Sequence, residues 1–300
     1  MKHSILIIDD EKIQAEGLKK AIEKVRPSFF VQAAFTEKDI ENAIENTYYN
    51  VAIVDLRMDN MKFDGIDLIK RIAEVNPFAK IIIVSAYLPE YEDLIEIIKQ
   101  GKIEKKIEKK EHSKFVEEIL AAVDKIISDS EQNQTMNQQA LEDLFADAKN
   151  ETNINLRGKR FENFVFFLFS QMGFIHIEKR QKDTTANETD LVVRNDLNDS
   201  FFQKFKPYFL VECKNERNSL GKDAYVEFER KLENTNALSN LGFLVSASEI
   251  SKNIPKEANR DSQKPHKVIF ITPKEIKRLI DSDYMLHTLK KIIDEQVKWI

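Results

Sequence analysis

Cysteine is almost absent from this 300-residue chain, with Cys213 the single example. A lone thiol excludes an internal disulfide framework and a cysteine-based zinc site, and it predicts a reducing, cytoplasmic setting. Long apolar runs are missing too. No stretch approaches the roughly 18 to 20 residues of a membrane span, and Met1-Lys-His-Ser leads into a short strand instead of a signal peptide. The chain therefore reads as soluble, without a membrane partner. Nor does one sign of charge dominate: 46 Lys/Arg face 51 Asp/Glu, a net −5 that does not advertise nucleic-acid binding.

What is present is enough to fold. An apolar fraction of 42% supports packed cores, and the 32% of charged residues are mixed in sign, which argues against global disorder. The length suggests two domains. Charge is unevenly spread: residues 1–128 carry 20 Lys/Arg against 24 Asp/Glu, residues 129–150 carry 1 against 5, and residues 151–300 carry 25 against 22. The C-terminal half is slightly basic, which permits a phosphate-binding face.

In the first half, short apolar runs alternate with helical spacing. Strands are expected at Ser4–Ile8, Phe29–Ala34, Val51–Val54, Lys80–Val84 and near Lys105–Glu108, with helices between them, including Glu90–Gln100, and a last one from about Ser113 to Ser128. Nearly all-apolar strands alternating with helices predict a parallel sheet covered on both faces. Ligands of such sheets sit beyond the carboxyl ends of the strands, where Asp9, Asp10, Asp55 and Ser85 fall. Three crowded carboxylates need a cation, and oxygen ligands suit Mg²⁺. An Asp beside Mg²⁺ can attack a phosphoryl group, with a hydroxyl and a lysine taking up charge on its oxygens.

These residues resemble a response-regulator receiver domain over 1–128. The resemblance implies a five-stranded, parallel, doubly wound, flavodoxin-like fold. It makes Asp55 the phosphoacceptor, Asp9 and Asp10 its Mg²⁺ ligands with Asp55, Ser85-Ala86 the hydroxyl and its small neighbour, and a sensor histidine kinase the partner. The run Lys105-Lys-Ile-Glu-Lys-Lys110 lacks the family's usual Lys-Pro, and Lys109, two after Ile107, fits best as the family's lysine. Two further departures stand out. The loop Arg57-Met-Asp-Asn-Met-Lys-Phe-Asp-Gly65 is long, with Asp59 where proline is common, and the fifth strand lacks the usual aromatic.

Residues 129–155 read as a polar linker with helical spacing resuming at Ala140–Ala146. The third segment, 156–300, is expected to be mixed α/β with C-terminal helices. It opens on a phenylalanine-rich helix, Leu156–Met172, read as a core helix, within which Glu162 is an acid beside aromatics. The run Tyr208-Phe-Leu-Val-Glu-Cys-Lys214 is a buried strand whose polar end emerges at an edge or cleft. Strand alternation puts Glu212 and Lys214 on one face and Cys213 on the other. Asp190 stands at the entrance of an earlier strand, Leu191–Val193.

Asp190, a spacer, Glu212-x-Lys214 and a helical acid upstream resemble the PD-(D/E)XK nuclease superfamily. Gly158-Lys-Arg-Phe-Glu-Asn-Phe, Gly173-Phe and Gly242-Phe-Leu-Val-Ser add a resemblance to its Mrr-type restriction endonuclease branch, over roughly 156–272. Thr189 stands where the superfamily name has proline. The resemblance implies Asp190 and Glu212 as metal ligands for Mg²⁺, with Mn²⁺ as a substitute. It makes Lys214 the group that orients water and stabilises charge, and Glu162 an outer acid. DNA is then the partner and a homodimer the expected assembly. Lys179, Arg180, Lys182, Arg217, Lys222, Arg230 and Lys231 are candidates for phosphate contacts, while no base-reading element stands out. The rival expectation is a phosphorylation-gated DNA-binding or assembly module on an inactive nuclease fold, and RNA or modified DNA remain open as substrates.

Overall fold

A computed structural model describes residues 3–59, 61–86, 95–99, 101–109, 112–132, 134–182, 188–235, 237–251, 253–254 and 264–297. Of the expected helix Glu90–Gln100, residues 90–94 and 100 lie outside the described residues; 95–99 are helical. The side chains of Arg180 and Lys182 also lie outside them. The chain divides into two compact units, Met1–Asn137 and Gln138–Ile300.

The first unit alternates β1 (Ser4–Ile8), α1 (Lys12–Val25), β2 (Phe30–Ala34), α2 (Glu37–Asn46), β3 (Val51–Asp55), α3 (Gly65–Val75), β4 (Lys80–Ser85), α4 (Ile95–Lys99), β5 (Ile103–Glu108) and α5 (His112–Gln132). Its strands lie in the order β2-β1-β3-β4-β5, all parallel. β1 and β3 are buried along their whole length, as strands covered on both faces must be. Alternate residues feed two cores: Leu6, Ile8, Ala52, Val54 and Ile83 pack with Ile40, Leu68 and Ile72 on one side. On the other, Ile5, Ile7, Ile53 and Val84 pack with Leu18, Ile22, Ile119 and Val123. This is the doubly wound sheet that the alternating apolar runs predict. At its carboxyl edge Gly65 starts α3 against the end of β3. A Cβ at Gly65 would stand 2.3 Å from the Asp55 carbonyl oxygen, so glycine alone fits.

The stretch read as a polar linker is largely helical: α5 runs on to Gln132 and α6 covers Gln134–Asn150. The reason lies at its far end, where Leu141 and Ala148 are buried and the Phe145 ring meets Phe161 and Phe164 at 6.3 and 5.0 Å. Tertiary packing of a few apolar residues sustains a helix whose composition is polar.

The second unit continues with α7 (Ile154–Gln171), β6 (Ile177–Lys182), β7 (Glu188–Arg194), β8 (Tyr208–Lys214), α8 (Lys222–Glu233), β9 (Leu241–Ser246), β10 (Lys267–Ile271), α9 (Pro273–Ile280) and α10 (Met285–Val297). Its sheet runs β10-β9-β8-β7-β6, antiparallel from β6 to β8 and parallel from β8 to β10. α7 begins at Asn153, whose side chain accepts from the Asn155 and Leu156 amides. Every residue from Phe164 to Ser170 is buried, the pattern of a helix enclosed on all sides, and Phe169 meets Phe243 of β9 edge to face at 5.2 Å. α8 covers the opposite face through Tyr225, Phe228 and Leu232, which pack with Leu210, Leu244 and Phe270. β8 therefore alternates between the helices, with Phe209 and Val211 toward α7, and Leu210 and Glu212 toward α8.

Candidate active centres in the two units

At the carboxyl edge of the first sheet, β1 ends before Asp9 and β3 ends on Asp55. Both carboxylates are buried, and oxygens of Asp9, Asp10 and Asp55 lie within 4.8 Å of one another. Among the described residues this is the one set of three acidic, His or Cys side chains gathered so closely. Asp9 accepts from the Glu11 amide at 2.9 Å and Asp55 from the Arg57 amide at 3.2 Å, which fixes each carboxylate over its own turn. Lys109 reaches the same place from the end of β5. Its backbone amide donates to the Ser85 carbonyl, and its Nζ donates to Asp9 at 2.9 Å, to Asp55 at 2.5 Å and to Gln14 Oε1 at 2.8 Å. Ser85 is buried at the end of β4. The five residues singled out in this half thus converge on one edge, and Gln14 joins them.

Burial raises the Asp9 carboxyl against the opposing pull of Lys109. Burial alone would lower Lys109, but its hydrogen bonds and charge pairing with Asp55 and Asp9 outweigh it and hold the ammonium above its usual range. Oxygen donors in this number and spacing fit a hard divalent cation.

In the second unit, the register Leu191↔Val211 and Val192↔Leu210 carries on to bring Asp190 of β7 beside the Glu212–Cys213 end of β8. The Cys213 amide donates to Asp190 Oδ2 at 2.7 Å. Glu212 is buried to 3% exposure, and its neighbour on the same face, Lys214, stands 3.0 Å from Oε1. Lys231 crosses from α8 and donates to both Glu212 oxygens at 2.9 Å. Asp190 is pushed up to about 7, first by burial, then by the charge of Glu212; the Cys213 amide opposes this and Glu162 adds to it. Burial alone would lower Lys214, and the attraction of Glu212 more than offsets it. Cys213, on the α7 face of the strand, has its thiol raised by burial and then by Asp190, Glu162 and Glu212.

Asp190, Glu212 and Lys214 are therefore together, while Glu162 acts on Asp190 through its charge from α7. It does not complete a tight three-carboxylate set with the other two among the described residues. Lys231, read from the sequence as a phosphate contact, instead faces Glu212. Helical spacing carried a signal for it: Lys231 follows Phe228 of the buried stripe by three positions, whereas Arg230 next to it is exposed. Two carboxylates, one of them poorly neutralised, form a donor set that fits a divalent cation, with a lysine alongside to meet an anion.

Residues 5–121 match the family described as response regulator receiver domain, and residues 154–280 match the restriction endonuclease family. Among solved structures, the chain resembles a receiver domain protein from Methanospirillum hungatei JF-1 at 22% identity, covering 44% of this chain and 98% of that one, with a TM-score of 0.38. It also resembles the receiver domain of Francisella response regulator 1452 at 26% identity, covering 43% and 99%, TM-score 0.35. The non-phosphorylated HemR receiver domain from Leptospira biflexa follows at 25% identity, covering 42% and 95%, TM-score 0.35. No curated protein matches the chain.

Proposed function

We propose that this chain, a response regulator receiver domain joined to a restriction endonuclease domain, is a regulator whose output is the metal-dependent hydrolysis of DNA phosphodiester bonds. A sensor histidine kinase would phosphorylate Asp55, and the added charge beside Lys109 would change the surface that the receiver offers. A cytoplasmic setting suits both partners, and cutting both strands of a duplex calls for a homodimer. Among the described residues no helix is long and apolar enough to cross a membrane.

The observation that carries the reading is Asp190 beside Glu212 on adjacent strands, its carboxyl raised to about 7 by burial and then by the charge of Glu212, with Lys214 on the Glu212 side. Asp190 and Glu212 would hold Mg²⁺, or Mn²⁺ in its place, and such an ion polarises the scissile phosphate and lowers the pKa of bound water. Lys214 Nζ would orient the attacking water and offset charge gathering on the phosphate oxygens. Glu162 would act as an outer acid, adding negative charge from α7. In the receiver, Asp9 and Asp10 would hold Mg²⁺ with Asp55, while Ser85 and Lys109 would receive the phosphoryl oxygens.

The test is purified protein on supercoiled plasmid with Mg²⁺, with and without beryllofluoride. Wild type should nick or cut, and Asp190→Asn and Lys214→Ala should not. Identical behaviour of wild type and Lys214→Ala in every condition would sink the enzymatic reading.

One observation favours a second reading. Lys231 and Lys214 both place an ammonium on Glu212, which neutralises the carboxylate from within the chain. A site stabilised in that state suits a module that binds DNA or assembles under receiver control without cutting. Tight, metal-independent DNA binding that survives Asp190→Asn and Glu212→Gln would support it.

A further inference from the structure

Asn215, directly after Lys214, ties together two helices. Its Nδ2 donates to the Ala148 carbonyl in the last turn of α6, at 2.9 Å, and to the Arg157 carbonyl in the first turn of α7, at 3.1 Å. The last four carbonyls of a helix have no partner inside it, and Ala148 is one of these, so the bond fills a vacancy that would otherwise cost stability in a buried place. Ala148 is fully buried. The joint around it is stiff. Glu151 accepts from the Thr152 and Asn153 amides at 2.8 and 3.0 Å and pairs with Arg160 at 3.3 Å, and Asn153 caps α7. Phe145 and Leu141 seat α6 against α7.

The end of β8 is also held along the sheet, with the Ala247 amide donating to the Lys214 carbonyl at 2.9 Å and Asp190 accepting from Cys213, and from α8, where Lys231 donates to Glu212. α6 begins two residues after α5 ends, and the division between the two units falls within it, at Asn137 and Gln138. A helix that leaves the receiver unit is thus hydrogen-bonded at its far end to the residue beside the candidate catalytic lysine.

We propose that Asn215 is the positioning residue through which the seating of α6 sets Lys214, and so the point at which the phosphorylation state reaches the nuclease centre. This rests on the function proposed above. Movement of the end of α5 on phosphorylation of Asp55 would pass along the chain into α6, shift the Ala148 carbonyl, and move the backbone of Asn215 and Lys214 with it. Breaking the bonds should uncouple the two sites and leave Lys214 less firmly placed, with every site residue still present.

The test uses the full chain as wild type, Asn215→Ala and the milder Asn215→Ser, each confirmed as folded by circular dichroism. Hydrogen exchange is followed in peptides covering residues 141–150 and 208–218, with and without beryllofluoride. In wild type both peptides should respond; in the variants the 141–150 response should remain and the 208–218 response should vanish. On plasmid, the variants should lose about tenfold in kcat with KM for DNA little changed, and the stimulation or inhibition by beryllofluoride should disappear. A 208–218 peptide that responds equally in wild type and both variants, or never responds in wild type, overturns the inference even where DNA is cut. Exchange coupling that is present in wild type and lost in the variants upholds it even where no DNA is cut, and only the nuclease reading then fails.

Discussion

Lys231 donates to both oxygens of Glu212, from a helix that the strand Tyr208–Lys214 does not touch in sequence. The ammonium stands where a cation approaching Glu212 would have to compete. Replacing Lys231 by methionine keeps the stem and removes the charge. Without metal the buried carboxylate loses a partner, and stability should fall by about 1–3 kcal/mol. With metal the competitor is gone, and Mg²⁺ should bind more tightly, which calorimetric titration would measure. Unchanged or weaker Mg²⁺ affinity in Lys231→Met would refute the competition.

That residue also marks where sequence reading stops. The doubly wound sheet is legible because β1, β3 and β4 are short apolar runs, the first followed by Asp9 and the others ending on Asp55 and Ser85, and the pattern repeats between helices. The mixed second sheet is legible in class but not in order: nothing local in β8 states that its neighbours are β7 on one side, antiparallel, and β9 on the other, parallel. Glu212 and Lys214 share a face by strand alternation, and it is the resemblance to a nuclease motif that adds Asp190 to them and marks the three as a site. Gln14 and Asn215 carry no such mark, and for Lys231 helical spacing shows the buried side but not the partner; each acts on a residue 19 or more positions away, and the packing of the chain reveals the meeting. The polar stretch after Ser128 reads as a linker in which helical spacing resumes, and the extent of that helix is not legible locally, because the burial of Leu141 and Ala148 that keeps α6 helical comes from a neighbouring helix.

Gly65 offers a test of the receiver's geometry. A methyl group there would meet the Asp55 carbonyl oxygen at 2.3 Å and the Leu56 Cα at 2.5 Å, both backbone atoms that cannot swing aside. Gly65→Ala should therefore displace the end of β3, cost about 1–3 kcal/mol in denaturant unfolding, and slow labelling by acetyl phosphate because Asp55 moves. Wild-type stability and labelling in this variant would contradict the close approach.

Lys109 holds Asp9 and Asp55 together as the only ammonium seen bonded to both among the described residues. Lys109→Gln leaves two buried carboxylates facing each other. Its melting temperature without Mg²⁺ should drop, and saturating Mg²⁺ should recover more of it than it adds to wild type, since the ion replaces the missing charge. Phosphoryl labelling should still require Asp55 and be absent in Asp55→Asn. Equal Mg²⁺ shifts in wild type and Lys109→Gln would show that the lysine and the ion do not share the site.

The raised carboxyl of Asp190 fixes a pH dependence whose sign can be worked out. Unfolded, the group titrates at its ordinary value of 3.8; folded, it titrates at about 7. Between these values the folded chain binds a proton that the unfolded chain does not, so folding is favoured at low pH and that contribution is lost as pH rises through 7. A divalent ion binds the deprotonated form and reverses the trend. In an Asp55→Asn background, which removes one carboxylate of the receiver's acidic cluster, the rise in melting temperature produced by Mg²⁺ should be small at pH 5.5. It should climb with a midpoint near 7 and level off by about pH 8.5, one to two units above that midpoint. Adding Asp190→Asn should flatten the curve, because the amide neither titrates across this range nor supplies a charge to the ion. A Mg²⁺ shift of equal size at pH 5.5 and 8.5, or a profile that Asp190→Asn leaves intact, would mean that the ion stabilises the chain elsewhere.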